Sequence, residues 1–227
     1  MDERQRRKMD LELARFVDAM TAWAWSRRTV ASYQQNARCF IEWLAEETDV
    51  ASFAEVTTGV LASYQTALLS AETRRGERLS AGTQRMRLTA AKSFFRYLAQ
   101  EGRILTDPAA ALQLPKRRRQ LPQALLTPKE AIRLLEAVDT STPLGLRDRA
   151  MLEVLYASGM RNAELRALTL ADVDAGAGTL FVRAGKGGKD RVVPIGPEAA
   201  RALSAYVQKG RPRLARKDVP QLFLTMN

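Results

Sequence analysis

Two short stretches in the second half of the sequence carry side chains that can hold a phosphate. In LYASGMRNAEL, residues 155–165, Arg161 directly follows a break between two helical patterns, and Glu164 follows one turn later. A guanidinium at a helix start can contact two phosphate oxygens, and a carboxylate one turn on can hold it in place. In RAGKGGKDRVVPI, residues 183–195, a glycine-rich turn carries Lys186 and Lys189. The two stretches together predict a phosphate-binding site.

Each stretch taken alone also has a simpler interpretation. Arg161 and Glu164 fit an exposed ion pair on a helix, which stabilises a helix by only about a few tenths of a kcal/mol. The two lysines fit a hairpin turn that is kept soluble by its charge. A nucleotide-binding P-loop is a poor match, because the glycines lie between two strand patterns and no serine or threonine follows the lysine.

The overall composition predicts an acidic partner, of which nucleic acid is the commonest. The 227 residues include 36 Lys+Arg and 25 Asp+Glu, a formal net charge of +11. The excess is uneven: residues 1–115 hold 16 basic and 14 acidic side chains, a net of +2, and residues 116–227 hold 20 and 11, a net of +9. The sequence contains no histidine, which excludes histidine-based triads, histidine metal sites and imidazole acid–base chemistry in this polypeptide.

The single cysteine and the absence of long apolar runs predict a protein of the reducing cytoplasm. Cys39 has no partner for an internal disulfide or a thiol metal cluster, and its place beside Phe40 predicts a buried, unreactive thiol. The charged start MDERQRRKMD is unlike a secretory signal, and no stretch approaches the roughly 18 apolar residues of a membrane span. We therefore expect no membrane partner.

Helical periodicity fills residues 1–112 and predicts a helical domain. In SRRTVASYQQNARCFIEWLAEE, Ser26 or Thr29 can cap a helix with one apolar stripe, formed by Val30, Tyr33, Ala37, Phe40, Ile41 and Leu44. In SAGTQRMRLTAAKSFFRYLAQEG, Ser80 or Thr83 caps and Gly102 ends a helix whose predicted inward residues are Met86, Ala90, Phe94, Tyr97 and Leu98. Residues 113–124, which contain Pro115, Pro122 and the basic run KRRR, predict an interdomain linker.

Residues 125–227 predict a second domain with helices and a small β part. Thr127 and Glu130 have capping-box spacing, a buried helix is predicted around 147–157, and Gly159 ends it before a short helix at 161–168. The stretches TLFVRA and RVVPI are strand candidates joined by GKGGKD, and Pro194 places its strand at a sheet edge. Pro197 opens a last helix, and the final LFLTMN is strand-like or a lead-in to more structure.

Taken together and in this order, these stretches resemble the tyrosine recombinase family, in particular its Xer-like and phage-integrase branch. The resemblance is carried by LRDRAMLEVLYASGMRNAELRALTLADVD (146–174) and GKGGKDRVVPIG (185–196), with support from TVASYQQNARCFIEWL, FFRYLAQEG, DPAAAL and LPK upstream. It implies a mainly α fold: a helical SAM-like core-binding domain followed by a mixed α/β catalytic domain. It also implies double-stranded DNA at a recombination site as partner, and other recombinase subunits in a tetramer on that DNA.

The family reaction implied by this resemblance needs no metal, nucleotide or other small-molecule cofactor. A tyrosine attacks the scissile phosphate, a 3′-phosphotyrosyl link forms, and a 5′-hydroxyl of a second strand resolves it. By motif position, Arg161 resembles the first catalytic arginine, which stabilises the transition state. Lys186 resembles the general acid to the leaving 5′-oxygen, Lys189 fits that role less well, and Glu164 resembles the residue that braces the arginine.

The family pattern continues with His-x-x-Arg, a further His or Trp, and a late nucleophilic tyrosine, and none of these can be placed in this sequence. No histidine is present, no arginine follows Arg216, and the five tyrosines lie earlier than the nucleophile's position, with Tyr156 and Tyr206 predicted as core residues. We therefore expect a C-terminally truncated recombinase with an incomplete catalytic domain, inactive in cleavage when alone. The alternatives are a non-catalytic DNA-binding remnant or regulator of recombination sites, and an unrelated basic protein that binds RNA or an acidic protein.

Basic residues outside the predicted phosphate site are expected to contact DNA. They lie at the starts of the two capped helices, in the linker and in the hairpin. They are Arg27, Arg28, Arg85, Arg87, Lys92, Lys116, Arg117, Arg118, Arg119, Lys189 and Arg191.

Overall fold

The chain is mainly helical with one small sheet, as the sequence predicts, and it forms two compact units, Met1–Leu121 and Pro122–Asn227. The computed structural model describes residues 2–73, 75–116, 125–174, 176–183, 189–216 and 218–225. Most of the predicted linker 113–124 lies outside the described residues, so its boundaries and those of the predicted domains 1–112 and 125–227 stay predictions. No helix in the described ranges has the length and hydropathy of a membrane span.

The first unit is a helical bundle whose helices begin where polar side chains can cap them. Its helices are α1 (Glu3–Ala22), α2 (Arg27–Glu47), α3 (Thr58–Ser70) and α4 (Ala81–Gln100), with a short 3₁₀ turn at Phe53–Glu55. Ser26 caps α2 and Ser80 caps α4, each by accepting the main-chain N–H three residues on. Gly102, at φ +66°, follows the end of α4 in the left-handed conformation that glycine adopts most readily.

Aromatic side chains from α1, α2, the 3₁₀ turn and α4 fill the core of the first unit. Phe94 and Phe95 are fully buried and lie 4.9 and 6.1 Å, centroid to centroid, from Phe53. The prediction that Met86 faces inward is wrong, because it is 43% exposed. Burial along α4 starts only at Leu88, so the first turns of this helix lie outside the packed core.

The second unit packs its helices against a three-stranded antiparallel sheet. The helices are α5 (Pro128–Glu136), α6 (Pro143–Ser158), α7 (Asn162–Ala167), α8 (Pro197–Ala205) and α9 (Arg211–Leu214), with a 3₁₀ turn at Leu170–Asp172 and a π turn at Tyr206–Gly210. The strands β1 (Val173–Asp174), β2 (Thr179–Val182) and β3 (Arg191–Pro194) pair in the order β1-β2-β3. Pro194 therefore lies on an edge strand of this sheet, as its missing N–H predicts.

Helix boundaries in the second unit follow the predicted signals. Thr127 and Glu130 form the predicted capping box at the start of α5. Gly159 ends α6 at φ +59°, a left-handed conformation that costs glycine least. The helix α6 begins at Pro143, earlier than the predicted 147, because Thr142 caps it by accepting the N–H of Gly145 at 3.0 Å.

Three further predictions are corrected by the structure. Tyr156 is 57% exposed, because it lies two residues after the buried Val154 and therefore on the opposite side of α6. Cys39 is partly buried, at the flank of the buried stripe of α2. The strand interpretation of the final LFLTMN is wrong for its described residues 222–225, which form no strand, and the neighbouring Gln221 forms a single bridge with Thr169.

The last described segment is held against the second unit by side-chain contacts. The fully buried Tyr206 accepts the main-chain N–H of Leu224 at 3.1 Å and stacks on Phe223 at 5.6 Å. Arg211 donates to the carbonyls of Val219, Gln221 and Leu222. This segment therefore packs on the π turn and α9 as part of the second unit.

Candidate phosphate-binding site

Arg161 lies where the chain turns from α6 into α7. Gly159 ends the first helix, and Arg161 occupies the cap position of the second with extended backbone angles. Its main-chain N–H donates to Glu164 Oε2 at 2.9 Å, and its Nη1 donates to Glu164 Oε1 at 2.8 Å. The Arg161 side chain is 56% exposed while that of Glu164 is 7% exposed. A buried carboxylate thus fixes the guanidinium of a side chain that is more than half exposed.

A second arginine, which is distant in sequence, contacts the same carboxylate. Arg191 is the first residue of β3, paired across the sheet with Val182. Its Nη1 donates to Glu164 Oε1 at 3.1 Å and its Nη2 donates to Oε2 at 2.7 Å. Both carboxylate oxygens of Glu164 therefore accept from both arginine residues.

These contacts lower the pKa of Glu164 to about 2. The largest cause is the hydrogen bonding from Arg191, followed by the main-chain N–H of Arg161. The same contact raises the pKa of Arg191. Glu164 and Arg191 therefore both stay charged at neutral pH, in direct contact with each other.

A separate ion pair ties the end of β2 to the 3₁₀ turn. The buried Asp172 accepts from the main-chain N–H and the hydroxyl of Thr169, and from Arg183 Nε at 2.7 Å. Burial acts to raise the pKa of Asp172, but the hydrogen bonds from Thr169 and Arg183 lower it on balance. The pair of Arg183 and Asp172 was not predicted, although the capping-box spacing of Thr169 and Asp172 is a local signal for the contact between those two residues.

The structure brings Arg161, Glu164 and Arg191 together, but Lys186 lies outside the described residues. Lys189 is described and exposed. The predicted roles of both lysines therefore stay predictions. Direct DNA contact by Arg191 also stays a prediction, because both of its terminal nitrogens donate to Glu164.

The basic candidates of the first unit differ in what they contact. Arg27 and Arg28 are exposed at the start of α2, and Lys116 is also exposed. Arg85 instead donates to the carbonyl of Pro115 at 2.6 Å, and Lys92 Nζ donates to the carbonyls of residues 110 and 112 at 3.0 and 2.8 Å. These two side chains hold the segment after α4 against that helix.

The remaining basic candidates are Arg87 on α4 and the three arginines of the predicted linker. Arg87 is partly buried, and Arg117, Arg118 and Arg119 lie outside the described residues. DNA contact stays a prediction for every basic candidate. Within the described ranges, no cluster of three or more Cys, Asp or Glu side chains is placed to hold a metal ion.

Two family models match the chain, one on each unit. Residues 13–102 match the "Phage integrase, N-terminal SAM-like domain", and residues 124–225 match the "Phage integrase family". The two matches account for the helical bundle and for the unit that contains Arg161, Glu164 and Arg191.

Curated relatives show similarity over most of the chain. The chain is 42% identical over 208 residues to tyrosine recombinase XerC 2 of Ralstonia nicotianae, which covers 92% of this chain and 60% of that protein. It is 36% identical over 196 residues to tyrosine recombinase XerD of Lacticaseibacillus casei, covering 86% of this chain and 63% of that protein. The chain thus spans about three fifths of the length of these relatives.

Solved structures show the same fold at lower identity. The Tn1549 transposon integrase, in complex with a circular intermediate DNA, matches with a TM-score of 0.67 and 16% identity, over 95% of this chain and 72% of that one. A lambda integrase tetramer bound to a Holliday junction matches with a TM-score of 0.63 and 20% identity, over 88% and 56%. The predicted fold class is thereby confirmed, and the chain belongs to the phage integrase family of tyrosine recombinases, with Xer-type recombinases among its relatives.

Proposed function

We propose that this chain binds duplex DNA as part of a site-specific recombination protein, and that Arg161 contacts a backbone phosphate there. The observation that carries the proposal is the half-exposed guanidinium of Arg161, fixed at a helix start by the buried Glu164. Such a fixed fork suits two phosphate oxygens. The net charge of +11 adds a longer-range attraction to DNA.

The reaction we assign to the whole protein is cleavage and rejoining of DNA strands through a phosphotyrosyl link. Arg161 would stabilise the charge that develops on the phosphate, and Glu164 would orient Arg161. Lys186 would protonate the leaving oxygen. The support is the family membership and the motif position of these residues, since the relatives are named tyrosine recombinases.

The 227 residues themselves are expected to bind DNA without cleaving it. They contain no histidine, and no tyrosine lies in the family's nucleophile position. A group that stabilises attack on phosphorus cannot act where no nucleophile is delivered. The second candidate function is a non-catalytic DNA-binding protein that occupies recombination sites or joins other recombinase subunits there.

The test combines binding with a search for a covalent product. We expect fluorescence anisotropy to show tight binding of labelled duplex DNA, weakened steeply by salt and stronger than binding of a duplex RNA of matched sequence. We expect denaturing gels of the same mixtures, and of nicked duplex, to show no protein–DNA adduct. A preference for RNA would contradict DNA binding as the function, and an adduct would contradict the expected lack of cleavage.

A further inference from the structure

The cluster of Arg161, Arg191 and Glu164 carries one more positive than negative charge. One carboxylate accepts from two guanidiniums, so it can neutralise only one of them. Arg161 Nη1 and Arg191 Nη1 lie 2.8 and 3.1 Å from the same oxygen of Glu164, which places these two nitrogens at most 5.9 Å apart. Like charges this close repel each other, and a second anion that joined the cluster would offset this repulsion.

The two arginines share the carboxylate unequally. Arg191 contacts both oxygens of Glu164 with its two terminal nitrogens, the paired geometry that is strongest between guanidinium and carboxylate. The Arg161 guanidinium contributes one nitrogen, Nη1, to these contacts. Arg161 is also the more exposed of the two, at 56% against 40% for the Arg191 side chain. Arg191 is therefore the main counter-ion of Glu164.

We propose that Arg191 is a positioning residue that neutralises Glu164, so that Glu164 orients Arg161 without cancelling its charge toward a phosphate. This inference rests on the proposed function, because it assumes that Arg161 meets phosphate. Without Arg191, Glu164 is free to pair with Arg161 alone. The resulting neutral pair attracts an anion only weakly.

The sheet gives Arg191 its place in this arrangement. Arg191 starts β3, whose register against β2 is fixed by the pairs from Val182↔Arg191 to Thr179↔Pro194. The guanidinium of Arg191 therefore approaches Glu164 from the sheet, while Arg161 approaches it from the start of α7. Loss of Arg191 removes both the contact between the sheet and Glu164 and the positive charge that neutralises this carboxylate.

The neighbouring pair of Arg183 and Asp172 offers a matched control. Arg183 directly follows β2, its side chain is 63% exposed, and it donates to a carboxylate that is 2% exposed. The substitution Arg183→Gln therefore removes the same charge as Arg191→Gln and also breaks an ion pair with a buried carboxylate. The Arg183 contact involves one nitrogen, Nε, and its guanidinium also lies 5.0 Å from the centroid of the Phe181 ring. Its carboxylate partner does not brace Arg161, because among the described residues Asp172 accepts hydrogen bonds from Thr169 and Arg183.

The experiment is a titration of the full chain with inorganic phosphate, and binding is measured by the NMR shift of the Nε–Hε signal of Arg161. That signal is assigned by its loss in Arg161→Lys. We expect Arg191→Gln to weaken phosphate binding at Arg161 about tenfold relative to wild type, and Arg183→Gln to change it by less than about twofold. Equal effects of the two substitutions would overturn the inference.

A second-site substitution separates a charge effect from general damage to the fold. In the double variant Arg191→Gln with Glu164→Gln, no carboxylate at position 164 cancels the charge of Arg161. We therefore expect tighter phosphate binding than in Arg191→Gln alone. A purely structural role of Arg191 predicts that the double variant binds no better than the single one, which would overturn the inference.

Arg191→Lys keeps the charge and is expected to retain most of the binding. A loss as large as in Arg191→Gln would count against the inference.

The outcomes also distinguish this inference from the proposed function. If Arg161→Ala binds duplex DNA as tightly as wild type, the proposed function fails at its central residue. If Arg161→Ala weakens DNA binding while Arg191→Gln and Arg183→Gln behave alike, only the role of Arg191 is wrong.

Discussion

At the scale of single residues, the position of Arg161 was predictable and its environment was only partly so. The glycine break before Arg161 and the Glu164 one turn later are local signals, and the structure joins both residues as their spacing predicts. The contact of Arg191 with Glu164 spans 27 residues and depends on how β3 registers against β2. No local pattern encodes such a contact, so the sequence supported only a general expectation of DNA contact for Arg191.

The pH dependence of stability tests the environment of Glu164. Its folded pKa of about 2 lies below the ordinary value of 4.5, so its ionised form stabilises the fold at pH values above 4.5. That contribution is lost as the pH falls from 4.5 through about 2. We expect Glu164→Gln to unfold more easily than wild type in urea at neutral pH, and the difference to shrink over this acidic range.

Glu198→Gln is the control for that titration. Glu198 forms an exposed pair with Arg201 on α8, which contributes little to stability. Its substitution should cause only a small change in unfolding free energy. A Glu164→Gln effect that is equally small, or that grows on acidification, would contradict the assigned environment of Glu164.

At the scale of elements, capping signals predicted helix starts well and periodicity predicted burial less well. Ser26, Ser80 and Thr127 cap the helices expected of them, because a cap is a contact between near neighbours. Met86 and Tyr156 were predicted as buried and are exposed, because burial depends on which neighbouring elements cover a given turn. β1 has only two residues, too few for any periodicity to show.

The start of α6 depends on a close approach that only glycine permits. A Cβ at Gly145 would lie 1.6 Å from the carbonyl oxygen of Asp139, a main-chain atom that cannot simply rotate away. We expect Gly145→Ala to lower the free energy of unfolding of the second unit by about 2 kcal/mol or more. Gly196→Ala is the control, since a Cβ there meets nothing within 4 Å, and it should cost less than about 1 kcal/mol in urea titrations. Equal effects would show that the approach at Gly145 is not as close as described.

At the scale of the whole molecule, the distribution of charge supports the proposed binding of DNA. The half of the sequence from residue 116 onward carries a net charge of +9 against +2 for the first half, and it contains the Arg161 site. Composition alone predicts an acidic partner, and the resemblance carried by the motifs supports the proposal that this partner is DNA. Long-range attraction to phosphates explains binding without sequence preference, whereas fixed contacts such as that of Arg161 would set the position of the chain on the duplex.

The most direct test of the account compares duplex DNA binding by Arg161→Ala and Arg201→Ala over a range of salt concentrations. Both substitutions remove one exposed arginine that pairs with a glutamate three residues away in the second unit. The account predicts that Arg161→Ala weakens binding by about tenfold and lowers the salt dependence by about one phosphate contact, while Arg201→Ala changes affinity by less than about twofold. Equal affinities for the two variants would contradict the claim that Arg161 holds a DNA phosphate.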